Sequence, residues 1–146
     1  ARECLSLFAP QIKGRKIQVV EKFEDGVPVI LGHKGKLQQV LLNLLMNARD
    51  ALQPGGTITL RTCRRESRVC LEVLDDGTGI REEDLVRVFD PFFSTKGRGE
   101  GTGLGLSISY GIVRDHGGDM RVSSVPGEFT RFTLDLPVAD RARVPV

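Results

Sequence analysis

Two glycine-bearing turns and one amide-bearing helical stripe hold the side chains whose types and spacing suit chemistry. The run DDGTGI, Asp75 to Ile80, places a carboxylate beside two glycines at the end of an apolar, strand-like stretch. A carboxylate there can accept a hydrogen bond from an exocyclic amine such as that of adenine, and Gly77 and Gly79 let backbone pass close to a flat ring. An ordinary tight turn of acid and glycine has the same composition. A calcium loop is disfavoured, because Gly77 falls on the third ligand position and the alternating acids are missing. The second run, GEGTGLGLS from Gly99 to Ser107, lies immediately before a helical pattern. Gly101, Gly103 and Gly105 can therefore turn several N–H groups toward an anion at the helix's positive end, which is phosphate chemistry. No Lys-Ser or Lys-Thr follows the glycines, so this is not a Walker A loop, and the spacing is not the dinucleotide fingerprint. Just upstream, Lys96 and Arg98 either reach phosphate oxygens or are solvated loop charges.

The stripe is on an earlier helix. At about 100° per residue, Asn43, Asn47 and Asp50 fall within roughly 60° of one another. Leu42 and Met46 flank them on one side, and Val40, Leu44 and Ala51 on the other. An unsatisfied buried amide costs about 1 to 3 kcal/mol, so such residues need partners. Either the two Asn satisfy neighbouring backbone groups or face water, or their oxygens hold Mg²⁺ near phosphates, a cation that takes few protein ligands and keeps waters.

These groups need elements to position them. IQVVEKF at Ile17 to Phe23 alternates like a strand, after a connector or helix end over Ala1 to Pro10. From Lys36 to Leu52, the residues Leu37, Val40, Leu41, Leu44, Leu45, Ala48 and Leu52 follow the helical period, and Pro54, Gly55 and Gly56 end it. TITLRTC and VCLEVLD, joined by RRESR, form an antiparallel hairpin whose second strand runs into DDGTGI. Arg81 to Val88 predicts a short helix, Phe89 to Gly101 a loop, and Leu104 to Asp115 a second long helix stopped by Gly117 and Gly118. MRVSSV and EFTRFTLDLP supply a closing pair of strands, and Val138 to Val146 a loose tail. Helices interspersed with hairpins imply an α/β sandwich, a mixed sheet covered on one face.

Composition narrows the function classes. The chain has 146 residues, 40% hydrophobic and 27% charged, enough for one domain with a core. A net charge of +2 spread among both signs lacks the basic stripe that nucleic-acid binding needs. Arg61, Arg64, Arg65 and Arg68 read as a solvated hairpin tip. Cys4, Cys63 and Cys70 form no CxxC or Cys/His cluster, which points to a reducing compartment without zinc or structural disulfides. No run approaches a membrane span and the N-terminus has no signal-peptide pattern, so a cytoplasmic location is expected, with a membrane-anchored parent left open.

Taken in order, NLLMNARDAL, DDGTGI, FDPFFSTK and GEGTGLGLS resemble the asparagine box, first glycine box, phenylalanine box and second glycine box of bacterial sensor histidine kinases, within the gyrase, Hsp90, histidine kinase and MutL ATPase superfamily. GHKGKLQQV, IVRDHGG and FTLDLP extend the resemblance over nearly the whole chain, and NARDAL and PFFSTK are similar to the nitrogen and dicarboxylate sensor subgroup. The resemblance implies a Bergerat-type ATP-binding fold: an α+β two-layer sandwich whose mixed, mostly antiparallel sheet is packed on one face by helices. It implies Asn47 as the Mg²⁺ ligand with Asn43 supporting it, and Asp75 as acceptor from the adenine amine. Gly77, Gly79 and Ile80 would shape the base pocket. Gly101, Thr102, Gly103, Leu104, Gly105 and Leu106 would bind phosphates under a lid from Phe89 to Thr102, anchored by Phe89, Pro91 and Phe92. Asp50, where many such kinases carry a basic residue, would face the nucleotide, and Lys96 would take over phosphate binding. His116 would have a structural role in the HGG turn.

Superfamily hydrolases place a water-activating Glu four residues before the metal Asn; here Asn43 stands there, which favours phosphoryl transfer over hydrolysis. His33 replaces a common acid, and Phe129 replaces the second glycine of the usual closing GxGT. Neither His33 nor His116 has the acceptor context. The implied protein is a catalytic domain over 11–138, with a connector at 1–10 from an upstream dimerisation helix and a tail at 139–146. It binds ATP and Mg²⁺, releases ADP, and phosphorylates a His on the dimerisation and histidine phosphotransfer domain of the same kinase, for relay to a response-regulator receiver domain. The isolated chain is expected to be a monomer, with no nucleic-acid partner and no direct membrane contact. Two other readings are a nucleotide-gated interaction module and a serine kinase of the anti-sigma-factor type.

Overall fold

The computed structural model describes residues 6, 8–10, 12–23, 34–52, 55–65, 67–90 and 105–137. Strand β1 (Gln18–Phe23) is followed by the long helix α1 (Lys34–Ala51), the hairpin strands β2 (Thr57–Arg65) and β3 (Arg68–Asp75), and the short helix α2 (Glu82–Leu85). Helix α3 (Gly105–Asp115) and the strands β4 (Asp119–Val125) and β5 (Phe129–Pro137) complete the described chain. The sheet order is β1-β2-β3-β5-β4. β1 pairs parallel with β2, and every other neighbouring pair is antiparallel. The physical reason is connectivity. Two strands joined by a tight turn run antiparallel, whereas the crossover through α1 brings the chain back in the same direction.

Strand alternation decides which face is covered. Thr130, Phe132, Leu134 and Leu136 of β5 are buried, while the intervening Arg131 is exposed and Thr133 and Asp135 are partly exposed. Val73 of β3 and Ile58 and Leu60 of β2 join the same side. Against it lies α1, whose Val40, Leu41, Leu44, Leu45 and Ala48 recur every three or four residues and are buried. Val113 of α3 and Phe8 complete the core. Each fully buried side chain of this size contributes about 1.5 to 3 kcal/mol. The expected two-layer arrangement, a mixed and mostly antiparallel sheet covered on one face, is therefore present.

Two local expectations differ. The predicted Arg81 to Val88 helix contracts to four residues, because the chain continues in three-residue turns, with Arg87 N–H donating to the Asp84 carbonyl at 2.9 Å and Asp90 N–H to the Arg87 carbonyl at 2.9 Å. Val86 is left 83% exposed, whereas Val88 is buried in the turns that follow. The hairpin strands are also longer than expected: Arg65 pairs with Arg68, so the strands run up to the turn, with Arg61, Arg64 and Arg68 exposed. Arg68 is not merely solvated, since its Nη1 lies 2.7 Å from Asp135 Oδ1.

Candidate nucleotide-binding site

The site gathers where β3 ends. β3 lies between β2 and β5, so a side chain at its end on the helix side is shut away from water. Asp75 is that side chain, 3% exposed. Gly77 N–H donates to Asp75 Oδ1 at 2.9 Å. Burial pushes the Asp75 carboxyl up to about 6, with the Gly77 amide opposing the rise and the Asp76 carboxylate adding to it. Asp76 turns the other way: its Oδ1 accepts from Thr57 N–H at 2.8 Å and so caps the start of β2. Of two adjacent acids, one is structural and the other faces the interior.

The turn after Asp75 is held from two sides. Thr78 N–H donates to the Ala51 carbonyl at the end of α1, at 3.1 Å. That approach is so close that a Cβ on Gly77 would overlap the Ala51 carbonyl oxygen. Gly79 has φ 74°, and a Cβ there would overlap the Val125 carbonyl oxygen. On the β4–β5 side, Ile80 N–H donates to Ser124 Oγ at 2.7 Å, Ser124 Oγ donates to the Phe129 carbonyl at 2.6 Å, and Thr130 Oγ1 lies 2.9 Å from Ser124 Oγ. Gly127 N–H closes the contact on the Thr78 carbonyl at 2.7 Å. The sequence reading of the site missed Ser124 and the buried Thr130. The available signal was strand alternation, which puts Ser124 on the face of Met120 and Val122, and Thr130 on that of Phe132.

The amide stripe meets α3. Asn43 Nδ2 donates to Ser109 Oγ at 3.1 Å and, more weakly, to the Gly105 carbonyl at 3.5 Å. With its amine end committed, Asn43 presents its carbonyl oxygen elsewhere. Ser109, wholly buried, is a further residue that the sequence reading passed over. Asn47 lies one turn further along α1, partly buried. Asp50 accepts from Arg49 Nη2 at 2.8 Å and Nε at 3.0 Å. Gly105 and Leu106 open α3, with Leu106 packed on the core. Phe89 stacks on Tyr110 with ring centroids 4.9 Å apart and meets Phe132 edge-on at 6.3 Å, a packed foot where the lid was expected to begin. His116 Nδ1 donates to the Ile112 carbonyl at 2.8 Å in the turn that ends α3. Pro91, Phe92, Lys96, Arg98, Gly101, Thr102, Gly103 and Leu104, together with His33, lie outside the described residues.

The described part of the site thus joins an acceptor at the end of β3, a close backbone approach, and one amide, Asn43, that reaches α3. Residues 32–140 match the family of histidine kinase-, DNA gyrase B-, and HSP90-like ATPases. The chain belongs to that family. Within it, the sensor histidine kinase ZraS of Escherichia coli O157:H7 is 40% identical over 134 residues, which cover 92% of this chain and 29% of ZraS. The chain therefore spans under a third of that relative's length. The solved catalytic domain of the histidine kinase ThkA superposes with a TM-score of 0.83 at 31% identity, covering 93% of this chain and 88% of that one. Full-length ShkA in complex with AMPPNP gives a TM-score of 0.85 at 29% identity, over 94% of this chain and 29% of ShkA. ThkA has also been solved in complex with the response regulator protein TrrA, where the TM-score is 0.80 at 28% identity, over 94% of this chain and 39% of that one. The domain thus shares its sequence family and its fold with the catalytic domain of the histidine kinase ThkA.

Proposed function

We propose that the domain binds Mg·ATP and passes the γ-phosphoryl group to a histidine on the dimerisation and histidine phosphotransfer domain of its own kinase, from which a response-regulator receiver domain takes it. The observation that carries this reading is Asp75, a buried carboxylate beside two glycines that no side chain could replace without a clash. Its Oδ1 holds Gly77 N–H, and Oδ2 is assigned to the adenine amine. Gly77, Gly79 and Ile80 form the base pocket around it.

At the phosphate end, Asn47 is the Mg²⁺ ligand through its amide oxygen and Asn43 supports it, while Lys96 and the segment Gly101 to Leu106 receive phosphates. The donor set suits this metal. Mg²⁺ takes one or two protein oxygens and completes its shell with phosphate oxygens and water, a demand that a single amide oxygen would meet. Bound there, the metal neutralises charge on the phosphates. Asn43 is an amide whose NH₂ is engaged by α3, and it cannot take a proton from water. Transfer to a positioned histidine is then favoured over hydrolysis: the bond from the bridging oxygen to the γ-phosphorus breaks, a phosphorus–nitrogen bond forms, the histidine loses its N–H proton and ADP leaves. The AMPPNP complex of ShkA and the response-regulator complex of ThkA support the nucleotide and the partner assignments respectively.

The test mixes the domain, ATP labelled on the γ-phosphate, and the separately produced dimerisation and histidine phosphotransfer domain. The expected product is an acid-labile phosphohistidine. Tight ATP binding without transfer overturns the kinase reading, and an acid-stable product replaces it with a serine kinase.

A further inference from the structure

Cys63 of β2 and Cys70 of β3 are direct cross-strand partners in the antiparallel register. Leu60 and Val73, which belong to the core, have the opposite strand parity to Cys63 and Cys70, so both thiols lie on the sheet face away from the helices. Cys63 is partly exposed, Cys70 is buried, and neither is in a disulfide. Directly opposed residues of an antiparallel pair have Cα atoms about 4.5 or about 5.5 Å apart, according to whether they form a hydrogen-bonded pair. Both separations fall inside the Cα range of about 4.4 to 6.8 Å over which disulfides occur, so the register brings the two cysteines within bridging reach.

We infer that Cys63 and Cys70 form a reversible oxidation site for peroxides. Cys63, the more accessible sulfur, gives up its thiol proton and attacks one oxygen of hydrogen peroxide; the O–O bond breaks, Cys63 becomes a sulfenic acid, and the leaving hydroxide takes a proton and departs as one water. The Cys70 sulfur then displaces the hydroxyl as a second water, closing the Cys63–Cys70 disulfide. Two thiols are oxidised and one peroxide is reduced to two waters. A small dithiol reverses the bridge by thiol–disulfide exchange. Such transient pairs, unlike standing disulfides, suit a reducing compartment.

The full chain, with Cys4 present, is treated with hydrogen peroxide, its remaining thiols are blocked with N-ethylmaleimide, and the digest is read by mass spectrometry. The expected result is a Cys63 peptide joined to a Cys70 peptide, about 2 Da lighter than the sum of the two thiol peptides, and lost on treatment with dithiothreitol. Cys63→Ser, treated alike, gives no joined peptide containing Cys70. Recovery of both cysteines as blocked thiols or as sulfinic acids, or a bridge to Cys4 or between molecules in place of the cross-strand link, overturns the proposal.

Discussion

Asp75 is the residue at which stability and binding pull apart. A buried acid raised from 3.8 to about 6 keeps its proton in the folded state over a range where the unfolded chain has already lost it. Folding is therefore favoured below the ordinary carboxyl value, and that contribution is lost as pH rises through about 6, leaving an ionised group that costs about 3 kcal/mol at neutral pH. Asp75→Asn, which can still accept from Gly77 N–H, is expected to raise Tm by several degrees at pH 7.5, with the gain shrinking toward pH 4.5, while weakening ATP binding about tenfold or more. Thermal melts at the two pH values and calorimetry of ATP binding check both halves. Unchanged ATP affinity removes Asp75 from the base pocket. For the same reason, ATP affinity of the unaltered domain is expected to fall below about pH 6, as the carboxylate is protonated. Asp75 was legible in the sequence because an apolar strand that runs into acid and glycine leaves its last side chain at the sheet end.

Between elements, the turn after Asp75 is secured by hydroxyl chemistry that no motif announces. Ser124 has one proton, and at 2.6 Å the Phe129 carbonyl takes it, so the Ile80 N–H and the Thr130 hydroxyl must both donate to Ser124 Oγ. Ser124→Ala strands two donors, of which Thr130 is 3% exposed, and such losses cost about 1 to 3 kcal/mol each. The expected outcome is a Tm several degrees lower with weaker ATP binding, and recovery of most of both in Ser124→Thr; melts and calorimetry decide. The pairing of Asn43 with Ser109 was similarly hidden, since those residues are 66 positions apart and meet only through the packing of α1 on α3. Periodicity predicted both helices but not what crosses between them. The α2 region shows the opposite failure: a helical composition over Arg81 to Val88 gives only four helical residues before the chain passes into turns.

At the scale of the whole molecule, the proposed nucleotide touches α1, the end of β3 and the start of α3 at once, so binding adds to the apolar packing and to the Asn43–Ser109 and Thr78–Ala51 hydrogen bonds that already join them. ATP at about one hundred times its dissociation constant should add about 2.7 kcal/mol to the folded state, which for a domain of this size raises Tm by roughly 5 to 10 °C. A fluorescence melt with ATP and Mg²⁺, compared with one lacking nucleotide, measures it, and an unchanged Tm contradicts the site. Sheet order was legible only in part: hairpins reveal antiparallel neighbours, but the insertion of β5 between β3 and β4 follows from packing rather than from adjacency in the chain. One contact then limits how the gene can change. Because the Ala51 carbonyl occupies the space where a Cβ on Gly77 would stand, every missense change of that codon, including the smallest, places an atom where α1 already has one. Gly35 and Gly111, whose surroundings are open, carry no such veto. Added side chains are thus sterically admitted at those two helix positions and shut out where α1 meets the turn after Asp75.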